Sequence, residues 1–252
     1  MKYSEYVKEA QKEIRDRKKY KNRNLTLHSC KVWEDGDQIN LWTYWQGYQL
    51  KDIDKMGVDI LLVGLDWGNV DKPENEKVLK EIIKIRRGDK NAKYIADSPT
   101  DKRLEWLFFE SFNAEIMKRN PGYRLFFTNY SLGYRIGNQS EAGDNSKSLM
   151  KLDKELFEKL VSAIKPKIII CLGKDTYEMV SDSKAESFVD QLKQGKPFKA
   201  PYYNDNSIPV YGVSHPGNWG CKNIGGEGNM LKAWKKIAKE FRDETYGEWK
   251  SC

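Results

Sequence analysis

Four short apolar runs set the limits on what this chain can fold into: DILLV (59–63), RLFFT (124–128), KIIIC (167–171) and PVYGV (209–213). A strand with one face in water alternates apolar and polar residues, whereas a strand covered on both faces is apolar at consecutive positions. Three of the four runs follow the second pattern, so they need a layer above and a layer below. The segments between them can supply those layers. Residues 101–118 carry Leu104, Leu107, Phe108 and Phe112 in helical register, and residues 149–164 carry Leu152, Leu156, Leu160 and Ile164. Leu231, Trp234, Ile237, Ala238 and Phe241 mark a helix after the fourth run. This alternation predicts an α/β chain, a three-layer α/β/α arrangement around a central parallel four-stranded sheet.

The residues before the first run read differently. Tyr3, Tyr6, Val7, Ala10 and Ile14 fall on one helical face, followed by the basic tract IRDRKKYKNRN, which suits either a solvated helix end or a phosphate contact. LWTYWQGYQL (41–50) follows, with Trp42, Tyr44, Trp45 and Tyr48. Such a cluster docks an extension as a satellite core or stacks on unpaired bases. The expected organisation is an N-terminal helical and aromatic extension, residues 1–50, packed on a main α/β domain, residues 51–252.

Composition excludes more than it selects. A net charge of +7 favours a polyanionic partner only weakly, because 32% of the residues are charged and the two signs are interspersed. No apolar run is long enough to cross a bilayer and MKYSEYVKEA does not read as a leader, so a soluble cytoplasmic protein with no membrane partner is expected. The four cysteines lack CxxC spacing and read as thiols in a reducing compartment, so neither a metal nor a cofactor is expected. A phosphate-binding GxxxxGK[ST] loop is also missing.

In an open α/β sheet ligands bind beyond the carboxyl ends of the strands. There the sequence places GLDWGN with Asp66, NYSLGYR with Asn129, LGKD, and SHPGNWG with His215. A carboxylate, a carboxamide and an imidazole thus converge on one rim. Each also has a structural use: Asp66 in a cap, Asn129 in an Asx-turn, His215 on a backbone carbonyl.

Taken together and in this order, GLDWG, FFTNY, KPKIIICLGK and SHPGN resemble the uracil-DNA glycosylase superfamily over roughly residues 59–241. GLDWG stands where the family has a glycine, two residues and a proline, with an acid third in the uracil-specific branch. FFTNY matches the strand that ends in the base-reading asparagine, and SHPGN the His-Pro motif. Trp67 replaces the proline, Gly68 stands where a tyrosine excludes thymine, and Gly217 replaces the serine after His-Pro. Trp219 falls at the position of the apolar wedge that enters the DNA stack. The cysteines of the iron-sulfur branch are not matched.

The resemblance implies a DNA glycosylase that hydrolyses the N-glycosidic bond of uracil or another deaminated or damaged base after flipping it out of the helix. Asp66 and His215 would be the catalytic pair, Asp66 serving water and the sugar cation and His215 donating to the base oxygen. Asn129 would read the base edge, with Gly64, Trp67, Gly68 and Tyr94 lining the pocket. Trp219, Asn218, Gly173 and Lys174 would contact DNA, duplex or single-stranded, and the protein would act as a monomer. The alternative is a catalytically inactive nucleic-acid or nucleotide-binding module on the same fold.

Overall fold

The computed structural model describes residues 1–15, 25–26, 44–47, 52–65, 84, 98–118, 120–132, 134–135 and 145–247. The apolar runs form strands β3 (Val58–Gly64), β4 (Leu125–Asn129), β6 (Pro166–Leu172) and β8 (Asp205–Val213), which lie side by side and parallel in the order β4-β3-β6-β8. The sheet is wider than the four-stranded, all-parallel one expected. β2 (Tyr44–Gln46) pairs antiparallel with β4 on one edge, and β7 (Phe198–Tyr202) pairs antiparallel with β8 on the other, giving a mixed six-stranded sheet. Both additions are edge strands, and one contains Pro201, a residue that sheets admit at their edges. The aromatic segment thus contributes a strand of the sheet; Trp42 and Tyr48 lie outside the described residues. Leu25–Thr26 (β1) and Tyr134–Arg135 (β5) form a separate two-stranded pairing.

Helices cover both faces because consecutive strand residues point in opposite directions. Phe126 meets Tyr3 of α1 (Tyr3–Arg15) edge-on at 5.6 Å, while Phe127 stacks at 5.6 Å on Phe108 of α3 (Pro99–Phe112). A short helix, α2 (Ile53–Met56), precedes β3. α3 starts where the sequence caps it, with Ser98 accepting from the Asp101 N–H and Pro99 in the first turn. It ends at Asn113 in the left-handed conformation, short of the predicted 118. On the α1 side lie α4 (Asn145–Ile164), whose Phe157 stacks on Tyr130 at 4.4 Å, and α5 (Lys174–Ser181). α6 (Phe188–Lys193) and α7 (Asn218–Asn223) are short, and α8 (Glu227–Gly247) closes the α3 side with Trp234 edge-on to Phe108 at 5.2 Å. Among the described residues no helix is long and apolar enough to cross a membrane.

Candidate active site

The carboxyl ends of β4, β3, β6 and β8 make one rim, with Asn129, Gly64, Leu172 and Val213 as the last strand residues. Asn129 sits directly beside Gly64 in the parallel register. That closeness requires the glycine, since a Cβ on residue 64 would lie 2.1 Å from Asn129 Oδ1. The contact also orients the amide: Oδ1 faces an α-hydrogen, which an oxygen tolerates and an N–H does not. Asn129 Nδ2 is left buried with no hydrogen-bond partner, on a residue only 4% exposed. Gln46 Nε2 and Trp234 Nε1 are likewise buried without a partner, so it is the position of Asn129 at the end of β4 that singles it out.

The loop beyond Asn129 is firmly held. Tyr130 donates its backbone N–H to Gly64 O at 2.8 Å and Ser131 to Leu65 O at 3.0 Å, extending the β3–β4 pairing past the strands. Asp153 of α4, fully buried, accepts from Leu132 N at 2.9 Å and Ser131 Oγ at 3.2 Å. This carboxylate was not singled out from the sequence, although an acid between Leu152 and Leu156 in an apolar register was its signal.

At the next position along the rim, Gly173 joins β6 to α5 with φ +108° and ψ 161°, a region open essentially to glycine alone, and donates to Val213 O at 2.8 Å. Lys174 is exposed and ion-paired with Glu178 at 3.7 Å.

His215 follows β8 in a tightly folded loop. Ser214 Oγ donates to Gly220 O at 2.7 Å, and the Gly217 N–H donates to His215 Nδ1 at 3.0 Å. Both glycines are steric necessities: a Cβ on Gly220 would lie 2.0 Å from His215 O, and one on Gly217 would lie 2.9 Å from His215 Nδ1 and 3.3 Å from Thr100 Oγ1. Glycine at residue 217 is therefore what lets the backbone reach the ring. With Nδ1 accepting, the imidazole is neutral and carries its proton on Nε2. The ring is open to solvent at its surface yet crowded by protein, and that crowding pushes its pKa below the usual histidine value, against the opposing pull of Asp101.

Trp219 stands on the first turn of α7, 77% exposed, with Lys222 Nζ 5.7 Å from its ring centroid. It does not pack beside Trp234, which is fully buried. Asn218 is engaged from within: its Oδ1 accepts from Arg103 at 3.0 Å, and Arg103 also donates to Pro216 O at 3.0 Å and pairs with Glu227 at 2.7 Å. Arg103 had no signal in the sequence, because its partners lie more than a hundred positions away. Asp66, Trp67, Gly68 and Tyr94 lie outside the described residues.

A groove of about 560 Å³ lies at the opposite end of the sheet, between Lys165, Pro166, Asp205 and Ile208. Its carboxylates are already occupied, Glu158 by Tyr203 and Asp205 by Ser207, while the Tyr202 hydroxyl in its lining is buried without a partner. No group of three or more histidine, cysteine or acidic side chains is placed to hold a metal among the described residues. The rim therefore offers two donors pointed by the fold, a buried amide N–H and an imidazole Nε2–H, beside glycines that admit a ligand to the backbone. Compared with known proteins, the chain matches no family model and no curated protein.

Proposed function

We propose that this chain is a DNA N-glycosylase acting on a flipped base that carries carbonyl oxygens, on a uracil-DNA glycosylase-like fold. The observation that carries the reading is the Asn129 amide, a donor buried without a partner at the end of β4. Leaving such a group unsatisfied costs about 1–3 kcal/mol, which a ligand oxygen would recover. An exocyclic amine in that place would set donor against donor.

The chemistry follows from what the reaction demands. As the bond from C1′ to the base nitrogen breaks, its electron pair leaves with the base and positive charge grows on the sugar. The His215 Nε2–H donates to a base oxygen where the negative charge collects, and does so without first losing a proton. Asp66, carried over from the resemblance, orients a water for attack on C1′ and takes up its proton while its charge stabilises the sugar cation. Asn129 holds the base edge. The proton that Asp66 accepts passes through solvent to the departing base anion, so the products are the free base and an abasic site.

The deciding experiment incubates the protein with single-stranded and duplex oligonucleotides containing uracil, hypoxanthine or xanthine, then cleaves abasic sites with alkali. Strand breaks at the modified position are expected with at least one of these bases. Tight binding without any break would point to the inactive nucleic-acid-binding module instead.

A further inference from the structure

We propose that Arg103 is a positioning residue that sets the orientation of the His215 imidazole through the Pro216–Gly217 peptide. A peptide unit is planar, so fixing one end fixes the other. The Pro216 C=O accepts from Arg103 Nη1 at 3.0 Å, and the N–H at the far end of the same plane belongs to Gly217 and reaches His215 Nδ1 at 3.0 Å. The lever therefore runs from the guanidinium to the ring in two hydrogen bonds. Donation to the carbonyl also polarises the plane and strengthens its N–H as a donor.

The guanidinium is itself immobilised. Nη1 reaches Asn218 Oδ1 at 3.0 Å, so residues on both sides of Gly217 are tied to α3, and Nε pairs with Glu227 of α8 at 2.7 Å. The Arg103 side chain is 19% exposed, whereas that of Glu227 is 54% exposed. Three partners in three directions need the flat, forked group of arginine; a lysine ammonium brings the same charge as a single point on a flexible stem. Arg103 acts through geometry, holding His215 in the form whose Nε2–H is free to donate. Its effect on catalysis rests on the glycosylase reading, while its effect on the ring does not.

Only two histidines are present, His28 and His215, so imidazole ¹⁵N spectra are simple and His215→Gln assigns them. The wild-type His215 ring should show one tautomer, protonated on Nε2, and titrate below the ordinary value of about 6.5. Arg103→Lys should show both tautomers with a midpoint moved up toward that value, and single-turnover base release about ten- to a hundredfold slower at unchanged DNA affinity. An unaltered His215 spectrum in Arg103→Lys overturns the proposal, whatever the rate does. Should that variant fail to fold, Glu227→Gln takes its place: it keeps the arginine, removes an exposed anchor, and should shift the same signals less far, an unchanged spectrum again being decisive against. If the wild-type protein releases no base, the spectra still decide the role of Arg103 and the glycosylase reading alone falls.

Discussion

Asp59 and Asn129 sit at opposite ends of neighbouring strands, both nearly buried, and their surroundings differ in kind. The Asp59 carboxylate receives the Arg124 backbone N–H at 2.9 Å, its Nε at 3.0 Å and its Nη2 at 2.6 Å, with Lys167 Nζ at 3.1 Å. Burial alone would push its pKa up; the hydrogen bonds from Arg124 and Lys167 outweigh that and hold it below the usual carboxylate value. The Asn129 amide, about as deep, donates to nothing. The Asp59 cluster uses its polar groups to hold strands together, whereas the rim holds the Asn129 donor without a partner. What sets the Asn129 donor apart from other buried unpartnered groups such as Gln46 Nε2 is its place at the carboxyl rim of the sheet, where ligands bind.

The largest expected effect tests the rim. Asp66→Asn should lower base release by roughly two to four powers of ten with DNA affinity nearly intact, since in the proposed reaction one carboxylate serves both water and sugar cation. Single-turnover rates beside a binding isotherm read both quantities. An unchanged rate would assign the role to another group and leave the family resemblance without its central residue.

Next is the Asp59 cluster. Asp59→Asn leaves the Arg124 and Lys167 charges without their carboxylate and should cost about 3 kcal/mol of stability, read from urea unfolding. Release per folded molecule should not change. The pH dependence has a definite sign. A carboxyl whose folded pKa is depressed contributes stability that is present above its unfolded value of about 3.9 and is lost as pH falls through the folded value. The difference between wild type and variant should therefore shrink below about pH 4. A constant difference down to pH 2 would mean that Asp59 acts by packing rather than by charge.

The sharpest contrast comes from Asn129→Leu. Leucine branches like the amide but needs no partner, so stability should hold or rise by about 1 kcal/mol while base release falls about a hundredfold. Opposite signs at one residue are what a reserved donor predicts. A loss of stability would show that the amide is satisfied in solution, and the comparison with Asp59 would then lose its meaning.

How much of this was legible in the sequence follows the same division. Strands buried on both faces write continuous apolar runs, so β3, β4, β6 and β8 could be read, and the residues after them named the rim. The edge strands could not. Tyr44–Gln46 is too short for any period, and FKAPY alternates only weakly around a proline. Motif position singled out Asn129 and His215 as candidates, but the state of each belongs to its neighbours. That the amide is unpartnered depends on Gly64, and the histidine's tautomer on Gly217 and, through it, on Arg103. A contact across 113 positions leaves no local pattern to read.

Trp219 gives the smallest expected effect and extends the contrast to the surface. The indole is 77% exposed and so accessible to a partner, and Lys222 across its face suits an approach by anionic backbone. If the SHPGNWG loop faces DNA, the imidazole meets the extruded base and the indole fills the gap it leaves. Extrusion from a duplex costs a few kcal/mol and much less from a single strand, so the wedge should matter only where stacking must be replaced. Trp219→Ala should slow release from duplex about tenfold and leave single-stranded substrate and melting temperature unchanged. Equal losses on both substrates with intact stability would make Trp219 part of the pocket rather than a wedge. A lowered melting temperature would contradict its exposure, because a side chain whose ring meets only the surface Lys222 loses little packing on truncation.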